Sequence, residues 1–167
     1  MDENSNSVLS QLRAQLRQDS LVKGIADLQV GDIVYYDMDR EDGINLCGPY
    51  DTRLKYVVVA GSKSNQREVC ALLINSHNDY SSAEDWKAEQ YLIRQCDYQG
   101  ILDHDSWIDC TDPKELKVSK IVAKAAEKKG HLNNLDLRNV INHLKTNDFV
   151  SNIMRREYGI DVFEPEP

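Results

Sequence analysis

The chain has 167 residues, 41% of them hydrophobic, which suits one domain with appendages and supplies enough apolar side chains for a core. Its 28 acidic against 20 basic residues leave a net charge of −8, which argues against a protein that holds nucleic acid by bulk charge alone. No apolar run approaches the roughly 18 to 20 residues of a membrane span, and Met1-Asp2-Glu3-Asn4 has neither a basic nor an apolar leader character, so a soluble, cytoplasmic protein with no membrane partner is expected.

In chain order, Val8, Leu9, Leu12 and Leu16 fall at helical spacing with Arg13 and Arg17 facing elsewhere. That pattern predicts a helix over residues 7–18 that packs on the rest of the fold or meets a partner, packing being the commoner use, and it marks 1–27 as an N-terminal helical extension. Residues 33–36, 55–60 and 69–74 are rich in β-branched and aromatic side chains and are bounded by Gly, Ser, Asn and Asp, as strands are. The middle one, Lys55-Tyr56-Val57-Val58-Val59-Ala60, is almost continuously apolar, so burial on both faces is expected. Between the first two strands lies a long loop with Gly43, Gly48 and Pro49, and loops of that length are usually functional.

After the third strand, Ser82 is placed to cap a short helix through Glu89, with Glu84 and Asp85 suited to its first turn. Residues 91–96 and 107–110 are further strand candidates, the second closed by Pro113. A lysine-dense stretch follows: Lys114, Lys117, Lys120, Lys124, Lys128 and Lys129. It is the one basic island on an acidic chain, and so the candidate surface for phosphate contacts, although such runs are more often solvated faces. Asn133 or Asn134 then caps a helix carrying Leu135, Leu137, Val140, Ile141 and Leu144. Phe149, Val150, Ile153 and Met154 predict one more short helix, and residues 158–167 an extended acidic tail, so 147–167 reads as an appendage to a domain spanning 28–146.

Cys47, Cys70, Cys96 and Cys110 contain no Cys-x-x-Cys pair, and reduced thiols are expected. The four histidines and four cysteines never reach zinc-ligand spacing, so neither a metal nor another cofactor is expected.

Order and spacing together produce a resemblance. Gly31-Asp32-Ile33-Val34, then Lys55-Tyr56-Val57-Val58-Val59, Asn75-Ser76, Trp107-Ile108-Asp109-Cys110, and Gly130-His131-Leu132 before Asp136-Leu137 resemble the MazF/PemK family of toxin endoribonucleases over residues 28–145. The resemblance implies an α+β fold built on an SH3-like β-barrel with a C-terminal helix. It also implies a homodimer that cuts single-stranded RNA without a metal, through attack of a ribose 2′-hydroxyl on the adjacent phosphate, and that is silenced by an antitoxin protein.

Such a reaction needs a base, a cation for the phosphorane charge and an acid for the leaving oxygen. The family supplies an arginine at the start of the second strand, often followed by proline, and a threonine or serine at the end of the third. Here Lys55 followed by Tyr56 holds the first position, with Arg53 two residues earlier as the other cation candidate. Lysine keeps the charge but lacks the planar fork that grips phosphate with two parallel bonds. Asn75 takes the threonine position with Ser76 beside it, and the imidazole of His77 is a further candidate base. His104-Asp105-Ser106 carries the letters of a catalytic triad, but neighbours in sequence point to different faces and cannot relay a proton. Trp86 and Trp107 are able to stack on bases, although large apolar residues more often serve a core. Two readings follow: a metal-independent endoribonuclease, or a barrel that keeps the fold, has lost the chemistry and binds a protein.

Overall fold

The computed structural model describes residues 11, 12, 14–16 and 27–165. The described part of the first predicted helix is helical, and its Leu12 and Leu16 are exposed rather than packed on the domain. Val8, Leu9 and most of the entry segment lie outside the described residues.

Seven strands form one antiparallel sheet: β1 (Asp32–Asp39), β2 (Thr52–Ser62), β3 (Glu68–Asn75), β4 (Gln90–Ile93), β5 (Ser106–Asp109), β6 (Lys114–Lys117) and β7 (Glu127–His131). Their order is β4-β5-β3-β2-β1-β7, with β6 also on β3. The helices are α1 (Glu84–Ala88), α2 (Val118–Ala123), α3 (Asn134–Thr146) and α4 (Asn152–Glu157). The fold is therefore α+β, as expected, but the sheet ends at β4 and β7 instead of closing on itself. Among the described residues no helix is long and apolar enough to cross a membrane.

Apolar clusters cover both faces of the sheet. Val58 of β2 and Leu72 of β3 pack under Leu137, Val140, Ile141 and Leu144 of α3, while Val57, Val59 and Ala71 face Leu116 of β6 and Ile121 of α2. The unbroken Val57-Val58-Val59 run is thus fully buried, each side chain contributing roughly 1.5–3 kcal/mol relative to exposure. Asn133 is the α3 cap, its Oδ1 accepting from the Asp136 amide at 2.9 Å. The α1 cap differs from the expected Ser82: it is Ala83, which offers no side-chain acceptor, and Ser81 Oγ accepts from the Ala83 amide instead.

Two strands fall inside the lysine-rich stretch, where charge masks the pattern. In β6, Lys114 and Leu116 point inward and Glu115 and Lys117 outward. In β7, pairing with β1 brings Asp32 opposite His131. β5 and β6 share one edge of β3: β5 pairs with Ile74 and Asn75, β6 with Glu68 to Ala71, and Cys110 to Pro113 form the kink between them. The C-terminal segment is not simply extended, since Tyr158 and Ile160 are buried in the α3-side core. The Tyr158 carbonyl accepts from the Ser62 amide at 3.1 Å, and a Cβ at Gly61 would overlap that carbonyl, so β2 needs glycine there.

Candidate functional site

Strand alternation places the site. Lys55 and Arg53 share the Val57 face of β2, and Asn75 shares the Leu73 face of β3, the side facing α2. Across the sheet Tyr36 is opposite Lys55, Asn75 opposite Trp107, and Trp107 opposite Leu92, so one transverse row runs from tyrosine through cation and amide to tryptophan and leucine. Lys55 Nζ donates to Asn75 Oδ1 at 3.2 Å, tying the second and third strands together at the row's centre.

Over this row lies a cleft of about 240 Å³, just below the roughly 300 Å³ at which small-ligand clefts begin. Lys55, Arg53, Asn75 and Leu73 form its floor, Gly43, Ile44 and Asn45 one wall, and Tyr80 and Trp86 the other. Asp109, Asp112 and Lys114 close its end. The Gly43 wall is held by chemistry. Asp39 caps the short turn Arg40–Asp42, Gly43 ends it at φ 79°, and the freed Gly43 carbonyl accepts from Lys114 Nζ at 2.7 Å.

Lys55 is half-buried, and burial, reinforced by the Arg53 guanidinium, lowers its pKa from the ordinary lysine value. A cation that is partly desolvated and close to a second one interacts strongly with an incoming phosphate.

The structure thus brings together Lys55, Arg53, Asn75 and Lys114. Ser76 and His77 are exposed just beyond β3 and do not line the cleft; the His77 ring instead meets Tyr80 edge-on at 6.5 Å. Other lysines of the basic run go elsewhere. Lys120 pairs with Asp39 at 2.7 Å and with Asp42 at 2.9 Å, Lys124 with Asp39 at 2.7 Å, Lys128 with Asp32 at 2.8 Å, and Lys129 with Glu127. Lys117 is exposed on β6 opposite Glu68. The run does not present one basic face, because acids of β1 and its turn meet the ammonium groups from more than 70 positions away.

Asp109, Asp112 and Tyr80 escaped the sequence reading. The alternation in Ser106-Trp107-Ile108-Asp109 was the available signal, since it puts Asp109 on the same face as Trp107. All four cysteines are free, Cys47 and Cys96 exposed, Cys70 and Cys110 buried, and burial pushes the Cys70 thiol up to about 12. No family model matches the chain, and no curated protein is significantly similar to it.

Proposed function

We propose that the chain is a metal-independent endoribonuclease of MazF/PemK type, its sheet a variant of the SH3-like barrel, cutting single-stranded RNA through 2′-hydroxyl attack. The observation that carries this reading is the convergence of Lys55, Arg53 and Asn75, from two different strands, in an open cleft walled by Tyr80 and Trp86. Cations flanked by aromatic side chains suit a sugar–phosphate chain with unpaired bases. In this role Lys55 and Arg53 take the phosphorane charge, the Asn75 amide orients a non-bridging oxygen, and Lys55, already inclined to lose its proton, protonates the leaving 5′-oxygen. A homodimer and an antitoxin protein that fills the cleft belong to the same proposal.

The test is incubation of purified protein with a long single-stranded RNA in chelator. Discrete fragments are expected, and Lys55→Ala or Arg53→Ala should slow their appearance by more than about tenfold. RNA left intact by well-folded wild-type protein defeats the proposal. One observation favours the second reading, a silent barrel that binds protein: Lys120, Lys124, Lys128 and Lys129 are already matched by carboxylates. On that reading expression does not arrest growth, and the cleft captures a peptide instead of RNA.

A further inference from the structure

We propose that Asp109 is the catalytic base that takes the proton of the attacking 2′-hydroxyl; this rests on the ribonuclease reading above. Asp109 lines the cleft although only 8% of it is exposed. It sits on β5, Lys55 on β2, and β3 lies between them. Two strand spacings, about 10 Å, and an offset of two residues along the strands separate the pair, since Asp109 falls opposite Leu73 while Lys55 falls opposite Asn75, and both side chains rise from the same face. That span lets one group reach the nucleophile and the other the leaving oxygen on opposite sides of a phosphodiester.

The carboxylate is held as a positioned base should be. Gln90 Nε2 at 2.9 Å, the Thr111 amide at 2.9 Å and Thr111 Oγ1 at 2.6 Å all donate to Oδ1. Three donors on one oxygen fix the plane of the group and leave Oδ2 for an incoming hydroxyl. Gln90 supplies a second, independent sign. Its own Oε1 is buried with no hydrogen-bond partner among the described residues. Flipping the amide would set that oxygen against the carboxylate, so the side chain serves Asp109 at the expense of its own acceptor, which is left orphaned. The rival groups are worse placed, since His77 lies outside the cleft and Asp112 is paired with Lys114.

In the step, Asp109 Oδ2 removes the 2′-hydroxyl proton as the 2′-oxygen bonds to phosphorus. The bond from phosphorus to the 5′-oxygen breaks, and that oxygen takes a proton from the Lys55 ammonium. The products are a 2′,3′-cyclic phosphate and a 5′-hydroxyl; solvent returns the proton from Asp109 to Lys55, and no electrons change hands.

The experiment compares wild type, Asp109→Asn and Asp109→Ala in single-turnover cleavage of one RNA oligonucleotide, and in binding of its all-2′-deoxy counterpart. Asparagine keeps an acceptor for Gln90 and Thr111, so Asp109→Asn should melt within a few degrees of wild type and bind the deoxy strand equally well. Its cleavage should fall by about 100-fold or more. Added formate should restore part of the rate to Asp109→Ala, which a purely structural role does not allow. Cleavage by Asp109→Asn within about threefold of wild type overturns this assignment and leaves the ribonuclease reading standing. Loss of activity together with weakened deoxy-strand binding and no formate rescue overturns it too. An inactive wild type removes both.

Discussion

Lys55 is the residue on which the site turns, and its protonation sets a measurable pH dependence. Burial and the neighbouring Arg53 lower its pKa from the ordinary lysine value, so the unfolded chain holds that proton more tightly than the folded one. Folding therefore gains as pH rises from the folded pKa to the unfolded one, while an acid role for Lys55 fails over the same window. On the ribonuclease reading, the alkaline limb of the cleavage–pH profile should lie below the ordinary lysine value, and Arg53→Ala should move it upward, since loss of a neighbouring positive charge favours the ammonium. A limb unmoved in Arg53→Ala would assign the titration to another group. Lys55 and Asn75 were legible from the order of strands, because each ends or begins a recognisable apolar run. For Asp109 the alternation with Trp107 could give the face but not the role, which depends on Gln90, 19 positions away, and on the pairing register of β5.

At the scale of elements, the turn after β1 and helix α2 behave as one ionic unit. Asp42 is buried, receives hydrogen bonds from the Asp39 amide at 2.9 Å and from the Tyr36 hydroxyl, and pairs with Lys120. Burial works to raise the Asp39 carboxyl, but the hydrogen bonds from Lys120 and Lys124 outweigh it and hold the group well below the usual carboxylate range. Lys120→Ala strands a buried carboxylate and should cost about 2–3 kcal/mol in urea unfolding at neutral pH. Because the Asp39 shift is downward, that deficit should be complete above the unfolded carboxyl pKa and shrink only as strong acid protonates the folded group. A deficit independent of pH would place the loss in packing instead. The lysines were plain in the sequence, but their partners were not: Asp39 is 81 positions from Lys120, so spacing along the run said nothing of the pairing. The same lysines hid β6 and β7, whose charged outward faces read as a solvated stretch.

For the whole molecule, the chain after α3 returns to the core, where Val150, Tyr158 and Ile160 are buried. Tyr158 is buried, and its hydroxyl donates to Glu115 Oε2 at 2.6 Å while burial pushes its pKa up. Tyr158→Ala should destabilise the fold by roughly 3–4 kcal/mol, read as a lowered urea midpoint with an unchanged slope. A change of less than about 1 kcal/mol would mean that β2 and β3 keep their packing without this segment. The expected barrel was legible as a set of strands, whereas its openness was not, since closure depends on which edges meet and both edge strands are short.

The pairing of Asp32 with His131, 99 positions apart, and the contact of Ser62 with the Tyr158 carbonyl have a consequence in time. Contacts this distant along the chain are slow to form, because the loop-closure entropy is lost before the contact offsets it. During translation Arg53, Lys55 and Asn75 leave the ribosome long before β7 and Tyr158 exist to hold their strands in place. On the reading proposed above, a growing chain carries the parts of the cleft without a working one, so the message being translated is spared by its own product until this domain has been synthesised.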